Sequence, residues 1–135
     1  MFVHNVKINF FDCDPAGILF YGRIYEVCHE AYEAMIDSFA LKENYWNNKE
    51  YVVPIISSSA KYSIPVNFKN TITVEITVST LKVSSFELSY TCKNEEGHVC
   101  VEVKTVHVFI HKTMWKKKEL TKEIRKGLQS HFIPS

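Results

Sequence analysis

Apolar and polar residues alternate along residues 2–11, and the spacing of the apolar residues then changes. The alternation predicts a β-strand, because successive side chains of a strand point to opposite faces. Over residues 21–39 the apolar residues recur at intervals of three and four, which is typical of one face of an α-helix. The sequence therefore predicts a strand followed by a helix of about five turns. The apolar stripe of this helix is formed by Ile24, Val27, Cys28, Ala31, Ala34 and Met35.

Four further strands are predicted after this helix, followed by a short closing helix at residues 121–132. Residues 42–51 are polar and aromatic and are predicted to form a loop. Pro54 disturbs the start of the next strand, since proline cannot donate to a sheet ladder. A turn that ends in Gly97 indicates a hairpin between the last two strands. The four strands are predicted at residues 52–62, 71–82, 85–93 and 98–111.

The order of these elements indicates an α+β protein in which a five-stranded antiparallel sheet wraps around one long helix. The chain has 135 residues, of which 46% are hydrophobic and 23% are charged, and this fits a single domain over residues 1–135. A sheet of this kind leaves open edges and one open face. We therefore expect a symmetric assembly, either a homodimer or a homotetramer.

Charge and cysteine content argue against several classes of protein. The net charge of +1 gives no reason to expect a nucleic-acid partner, although residues 116–118 form a local run of lysines. The cysteines lack metal-ligand spacing, and His107 and His111 would lie about 13 Å apart on one strand, so no metal site is predicted. No apolar run reaches the roughly 18 residues of a membrane span, and no signal peptide is recognisable at the N-terminus. A cytoplasmic protein with reduced cysteines is expected.

The segment at residues 12–33 carries the candidate chemistry. A carboxylate, Asp14, follows the first strand, Gly17 permits a tight turn, and the helix begins near Tyr21. The first turn of a helix has unpaired N–H groups and a positive dipole end, which can stabilise an oxyanion formed from a thioester carbonyl. Asp14 could attack that carbonyl or activate a water molecule. The same residues also fit a turn in which aspartate only caps the backbone, and residue type alone leaves both interpretations open.

Residues 12–18, together with Tyr21 and Tyr25, resemble the signature of the 4-hydroxybenzoyl-CoA thioesterase family of hotdog proteins. The resemblance covers nearly the whole chain and implies the hotdog fold. It also implies hydrolysis of an acyl-CoA, with no cofactor beyond the CoA of the substrate. On the matching positions, Asp14 is the catalytic carboxylate and the backbone N–H of Tyr21 polarises the thioester carbonyl. Gly17 and Tyr25 are the implied substrate-binding residues.

Residues 28–33 and 54–56 resemble more narrowly the branch that hydrolyses 1,4-dihydroxy-2-naphthoyl-CoA in quinone synthesis. The 4-hydroxybenzoyl and short aliphatic thioesters remain alternative substrates. In the family a basic cluster between the third and fourth strands binds CoA, and the matching stretch here keeps one charge, Lys82. The resemblance further implies that two subunits contribute to each site. Other lysines that could contact the phosphates are Lys61, Lys69, Lys116, Lys117 and Lys118.

Other hotdog activities are also compatible with the fold. A hotdog dehydratase pairs a histidine with a carboxylate, but no histidine precedes the helix in that pattern here. A module that only binds acyl-CoA would not need a carboxylate at position 14. A further branch carries a catalytic glutamate on the central helix after a His-Gly-Gly opening, which is missing from this sequence. Three glutamates are therefore interpreted as polar-face residues: Glu26, Glu30 and Glu33.

Overall fold

Alternating burial along the strands, and burial at every third or fourth residue of the long helix, define the layers of the protein. A computed structural model describes residues 1–134. The strands are β1 Phe2–Lys7, β2 Tyr51–Val52, β3 Ile55–Tyr62, β4 Thr71–Leu81, β5 Ser85–Lys93, β6 Val99–Val108 and β7 Ile110–His111. The helices are α1 Ile24–Ser38 and α2 Lys122–Gln129, and 3-10 turns span Phe10–Asp12 and Tyr21–Arg23. A five-stranded antiparallel sheet has the order β1-β4-β5-β6-β3, and β2 pairs with β7 in a second sheet.

The core lies between α1 and one face of the five-stranded sheet. Every second residue of β4 is buried from Ile72 to Val78, and every second residue of β5 is buried from Phe86 to Cys92. The N-terminus of α1 has no side-chain cap, so hydrophobic burial rather than capping holds this helix. Each fully buried large apolar side chain contributes about 1.5–3 kcal/mol. The buried residues of α1 are Ile24, Val27, Cys28, Ala31, Tyr32, Met35 and Ile36.

The short C-terminal helix α2 is present as predicted, but it ends at Gln129 rather than at residue 132. Thr121 caps it, because its side chain accepts a hydrogen bond from Ile124 N at 3.3 Å. After the helix the chain pairs with Val78 of β4, whose N–H donates to His131 O at 2.9 Å. Within residues 1–134, neither helix combines the length and the apolar character that crossing a membrane requires.

The α+β architecture predicted from the sequence is confirmed, whereas the predicted end of the first strand was wrong. Strand β1 ends at Lys7 instead of continuing to residue 11. Asn9 N donates to Asp12 Oδ2 at 2.9 Å, and Asp12 N donates to Asn9 O at 3.0 Å. These bonds close a 3-10 turn that takes the chain out of the sheet, and they leave Phe10 62% exposed.

The predicted strands at residues 52–62 and 98–111 are each split in two. Pro54 separates β2 from β3, and its carbonyl accepts a hydrogen bond from Val108 N at 3.1 Å. Phe109 separates β6 from β7, because its N–H donates a hydrogen bond to Ser84 O at 2.8 Å. Tyr51, assigned to a loop from the sequence, lies in β2. The short sheet of β2 and β7 follows from these two breaks.

Strand β3 forms one edge of the five-stranded sheet and is poorly covered within the chain. Seven of its eight residues are exposed. The exposed residues include Ile55 at 43%, Ile56 at 64% and Tyr62 at 45%. An edge strand with apolar side chains and free backbone groups is a natural site for pairing with another chain.

Candidate active site

The loop between β1 and α1 folds back on itself and presents Asp14. Asp14 N donates to Ile18 O at 2.8 Å, and Gly17 N donates to Asp14 O at 2.9 Å. Gly17 adopts a φ of +77°, in the left-handed region that favours glycine. A Cβ atom at this position would also lie 3.4 Å from the Phe68 ring. Gly17 therefore sets the turn that carries Asp14.

The carboxylate of Asp14 has one oxygen engaged and one available. Its Oδ1 accepts hydrogen bonds from Ala16 N at 2.9 Å and from Ile18 N at 3.3 Å, as in an Asx turn. Within residues 1–134 no hydrogen bond or ion pair reaches Oδ2. The half-buried side chain is thus fixed through one oxygen, while the other is free to meet a substrate or a water molecule.

Asp12, the other aspartate of the motif, is occupied by the loop itself. Its Oδ2 accepts from Asn9 N at 2.9 Å, its carbonyl accepts from Phe20 N at 2.9 Å, and Arg23 Nε lies 3.9 Å from Oδ1. These contacts join the two ends of the loop. They bring the first turn before α1 beside the turn that holds Asp14.

The helix start predicted at Tyr21 is a 3-10 turn, Tyr21–Arg23, and α1 itself begins at Ile24. In the part of the chain that the structure describes, the N–H groups of Tyr21 and Gly22 donate to no protein acceptor, as is usual for the first turn of a helix. The hydroxyl of Tyr62 donates to the Tyr21 carbonyl and anchors the turn to the end of β3. Unpaired N–H groups held in this way can stabilise an oxyanion.

Cys13, between the two aspartates, does not supply a thiolate. Burial raises the pKa of the Cys13 thiol, and the negative charges of Asp12 and Asp14 raise it further. At neutral pH the side chain is therefore the protonated thiol, which is a weak nucleophile. Among the three side chains of the motif, Asp14 alone combines a fixed position with an available reactive atom.

Two cavities adjoin this region. The larger, of about 300 Å³, lies between the Asp14 loop and the end of β3. It is lined by Ile18, Leu19, Tyr62, Ser63, Ile64, Pro65, Val66 and Val101. The smaller, of about 140 Å³, is lined by Tyr25, Cys28, His29, Ile55, Ser58, Tyr90 and Thr105. Tyr25 lies one helical turn after Tyr21, whereas Ile55 and Ser58 lie seven and four residues before Tyr62 on β3, so the smaller cavity extends away from the unpaired N–H groups.

Comparison with known protein families decides the class of this protein. The profile of the family described as the Thioesterase-like superfamily matches residues 8–128. The chain belongs to this superfamily. The matched span contains the Asp14 loop, α1 and every later strand.

The thioesterase is similar over nearly its whole chain to relatives named for one substrate. The 1,4-dihydroxy-2-naphthoyl-CoA hydrolase of Trichodesmium erythraeum (strain IMS101) is 30% identical over 132 residues, which are 96% of each chain. A 1,4-dihydroxy-2-naphthoyl-CoA thioesterase structure from Synechocystis superposes with a TM-score of 0.88 at 22% identity, over 95% of both chains. A Staphylococcus aureus protein in complex with CoA gives a TM-score of 0.88 at 12% identity, covering 96% of this chain and 82% of that one. The predictions of a hotdog fold and of a thioester hydrolase are confirmed.

Lys82, predicted to bind CoA, lies at the far end of the sheet of this thioesterase from Asp14. Strand β4 begins beside the Asp14 loop, where Phe68 N donates to Gly17 O at 3.1 Å. Its 11 residues span about 33 Å at 3.3 Å per residue, and Lys82 follows the last of them. The Lys82 carbonyl there accepts a hydrogen bond from Arg125 at 2.8 Å. A single chain therefore does not bring Lys82 and Asp14 together.

The other candidate lysines are divided between the two ends of the sheet. Lys69 lies at the Asp14 end, with its ammonium 5.6 Å from the centroid of the Phe68 ring, and Lys61 precedes the last residue of β3. The lysines at residues 116–118 lie at the Lys82 end, since Lys118 N donates to Phe109 O at 2.9 Å. The glutamates of α1 remain on its polar face, where Glu30 contacts His4 at 2.9 Å.

Sequence reasoning missed three residues of this region: Tyr62, Tyr90 and Thr105. Tyr62 is the last residue of the exposed strand β3, and the pattern of apolar and polar residues in that strand does not distinguish it from its neighbours. Tyr90 and Thr105 occupy inward-facing positions of β5 and β6, so their burial follows from the strand pattern. Their mutual hydrogen bond depends on the pairing of those strands, where Tyr90 lies opposite Val103.

Proposed function

We propose that this thioesterase hydrolyses an aromatic acyl-CoA, and specifically 1,4-dihydroxy-2-naphthoyl-CoA. The similarity to the Trichodesmium hydrolase supports this substrate. The proposed mechanism rests on one observation: Asp14 is held through Oδ1, has Oδ2 available, and lies on a loop that returns to the unpaired N–H of Tyr21. A carboxylate and an oxyanion-binding group at one place are the two elements that thioester hydrolysis needs.

In the proposed reaction the carbonyl oxygen of the thioester accepts the N–H of Tyr21, which stabilises negative charge as that carbon is attacked. If Asp14 is the nucleophile, Oδ2 bonds to the carbonyl carbon, the C–S bond breaks, and water hydrolyses the resulting anhydride. If Asp14 is a general base, it removes a proton from a water molecule whose oxygen attacks the carbon, and the same C–S bond breaks. Both routes yield a carboxylic acid and CoA. They require no metal and no cofactor beyond the CoA of the substrate, since a thiolate is a good leaving group.

We also propose that two chains pair through β3 to form the active unit. The exposed edge strand would join a second copy running antiparallel to it and so extend the sheet. This pairing places the Lys82 end of one chain beside the Asp14 end of the other. The Lys82 end of one chain would therefore supply cations for a CoA bound at the Asp14 end of the other. Within a single chain these two ends are separated by the length of β4, roughly 33 Å. Two such dimers packed through their open sheet faces would form a homotetramer.

The test of the reaction is hydrolysis of a panel of acyl-CoAs by the wild type and by Asp14→Asn, followed as released thiol. We expect strong turnover of 1,4-dihydroxy-2-naphthoyl-CoA and a loss of about 100- to 10,000-fold in kcat for the variant. Asp12→Asn is the matched control, because its amide oxygen can still accept the loop hydrogen bonds. It should retain activity within about tenfold, since Asp12 positions the loop rather than reacting.

The panel also contains 4-hydroxybenzoyl-CoA and short and long aliphatic acyl-CoAs. Preferred turnover of one of these would reassign the substrate while leaving the mechanism in place. Equal activity of the wild type and Asp14→Asn would make Asp14 a turn residue, and Glu30 would be the next carboxylate to test. Binding of acyl-CoA without hydrolysis of any thioester would favour a non-catalytic binding module.

The pairing through β3 is tested by sedimentation of the wild type and of Ile56→Lys. We expect a dimer or tetramer for the wild type and a shift toward monomer for the variant, because a charge on an edge strand opposes pairing. Glu96→Lys is the control: this exposed residue lies in the turn between β5 and β6, outside both β3 and the open sheet face. A monomeric wild type that hydrolyses its substrate would overturn the two-chain proposal.

A further inference from the structure

A short hairpin follows β7 and carries exposed apolar side chains at its tip. The hairpin is closed by hydrogen bonds from His111 N to Lys116 O at 2.7 Å and from Trp115 N to His111 O at 2.8 Å. At the tip, Met114 is 59% exposed and Trp115 is 66% exposed. Trp46, 43% exposed, lines an open cavity of about 340 Å³ together with Trp115. Both tryptophans of the protein therefore belong to one exposed apolar patch.

The tip presents Trp115 in a backbone conformation that does not suit tryptophan. Its φ is +54°, in the left-handed region where a Cβ atom crowds the backbone and glycine or asparagine is favoured. The tip is fastened to the loop before β2, since Lys112 N donates to Glu50 O and Lys112 Nζ donates to Asn48 O, both at 2.9 Å. A bulky side chain at position 115 does not ease this turn, and it remains largely in contact with solvent. The exposed indole is thus a feature that the turn itself does not require.

The segment that contains this tip is strongly basic. Residues 112–126 contain seven lysines and arginines and two glutamates, a net charge of +5, whereas the rest of the chain has nine basic and 13 acidic residues, a net charge of −4. Leu120 N donates to Val83 O at 3.0 Å, which holds the segment against the turn between β4 and β5. Lys116 and Lys117 directly follow the tip, are exposed, and form no salt bridge within residues 1–134. The small net charge of the whole chain therefore conceals one positive end.

Apolar side chains at a protruding tip, next to unpaired lysines, match the chemistry of an anionic lipid surface. Tryptophan is favoured at the headgroup level of bilayers, because its ring is apolar and its N–H finds polar partners there. Lysines close to such a surface are attracted by the negative charge of the lipids. An acidic peptide would pair with the lysines but would offer no apolar layer for side chains that project from a hairpin tip. The combination therefore favours a bilayer over an acidic protein.

We propose that this hairpin docks the protein on an anionic lipid surface, with Met114 and Trp115 entering the headgroup region and Lys116 and Lys117 contacting the lipid phosphates. The docking is peripheral and reversible, because two apolar side chains and a few lysines fall far short of a spanning helix. It goes beyond the proposed function and does not depend on which thioester is hydrolysed. The lysines are also candidates for the CoA phosphates, so Trp115 is the residue that separates the two roles.

The test is co-sedimentation of the protein, without substrate, with phosphatidylcholine vesicles and with vesicles that also contain about 30% phosphatidylglycerol. We expect at least about tenfold stronger binding to the anionic vesicles, and this binding should weaken as salt is added. Trp115→Gly should weaken it about tenfold, and the variant should stay folded because glycine suits the left-handed backbone. Lys116→Glu should weaken it by at least about tenfold. The matched control is Lys7→Glu, an exposed residue of β1 at the Asp14 end of the sheet, which should stay within about twofold of the wild type.

Tryptophan fluorescence provides a second readout of the same contact. The chain has two tryptophans, so Trp115→Gly reports on Trp46 alone. A blue shift of the wild-type emission on anionic vesicles that the variant lacks would support entry of Trp115 into the headgroup region. Absence of vesicle binding would overturn the proposal, as would equal binding by the wild type and Trp115→Gly, because charge alone would then act.

Two further outcomes would assign the patch to another occupant and would also overturn the proposal. A change of the wild-type emission with free CoA, but not with vesicles, would assign the patch to the nucleotide of CoA. Dissociation of an oligomer by Trp115→Gly, measured by sedimentation, would assign it to a second copy of the chain. Because no arm of the vesicle experiment uses a thioester, its result is independent of whether the protein hydrolyses one.

Discussion

Replacing His107 by glutamine should make the stability of this thioesterase less sensitive to acid. The His107 ring is 0% exposed, stacks on Phe86 with 4.7 Å between the ring centroids, and lies 4.7 Å from the Tyr32 ring. Burial lowers the pKa of His107 to about 3, and the nearby His29 adds to this effect. The folded protein therefore keeps His107 neutral at pH values at which the unfolded chain takes up a proton.

The sign and the size of the effect follow from the two pKa values of this histidine. In the unfolded chain the pKa is about 6.5, and in the folded protein it is about 3. Above about pH 6.5 both states hold neutral His107, and stability does not depend on its titration. Below that value only the unfolded state binds the proton, so stability falls by about 1.4 kcal/mol per pH unit until the folded pKa is reached. Between pH 7.5 and pH 5 the loss amounts to about 2 kcal/mol.

The assay is urea unfolding of the wild type and of His107→Gln, each at about pH 7.5 and about pH 5. Glutamine does not titrate and can keep a hydrogen bond to Thr105. His131, whose pKa is also lowered by burial, is present in both proteins, so its contribution cancels. The wild type should lose about 2 kcal/mol more than the variant on going to pH 5. If the two losses agree within about 0.5 kcal/mol, the folded protein protonates His107 and the reasoning from burial is refuted.

Three further predictions concern the loop and the helices. Tyr62→Phe removes the hydrogen bond to the Tyr21 carbonyl and should lower kcat by about tenfold with little change in unfolding temperature, whereas unchanged kcat would show that the turn needs no anchor. Cys13→Ser should retain kcat within about twofold, because the thiol is protonated, and a large loss would make Cys13 a participant. Gly127→Ala should destabilise the fold by about 1–3 kcal/mol in urea unfolding, since the new Cβ would lie 2.5 Å from the Phe39 ring. A gain in stability, as is usual for this change in a helix, would show that Phe39 moves aside.

The sheet and the central helix were predictable because their periods are unambiguous. Strand β4 alternates polar residues with Ile or Val from Thr71 to Val78, so its buried face follows from the pattern as far as the register shift after Val78. The helix period likewise predicts the buried stripe of α1. The stripe gains Tyr32 and Ile36 in the structure, because the sheet covers a wider face of the helix than the regular spacing indicates.

The positions at which strands end or break could not be predicted from the spacing of apolar residues, since hydrogen bonds of single residues determine them. Asn9 and Asp12 bond to each other's backbone and end β1 early, although the alternation of side chains continues through Phe10. Phe109 breaks the last long strand because its N–H finds a carbonyl in another turn. The candidate active site was likewise predictable only in part. The motif predicts Asp14 and Tyr21, whereas the separation of Lys82 from Asp14 appears only once the direction of β4 is known.

The candidate reactive group and the buried polar residues lie in different layers of this fold. Asp14 lies on a surface loop that is closed by backbone hydrogen bonds, so the reactive group can change with little effect on the core. Tyr90, Thr105 and His107 form a hydrogen-bonded row inside the sheet layer, where His107 Nδ1 has no partner within residues 1–134 and so reduces stability. Packing alone would be served better by apolar residues of the same shape. A substitution in the Asp14 loop should therefore change the reaction with little change in stability, whereas a substitution in this row should change the free energy of unfolding.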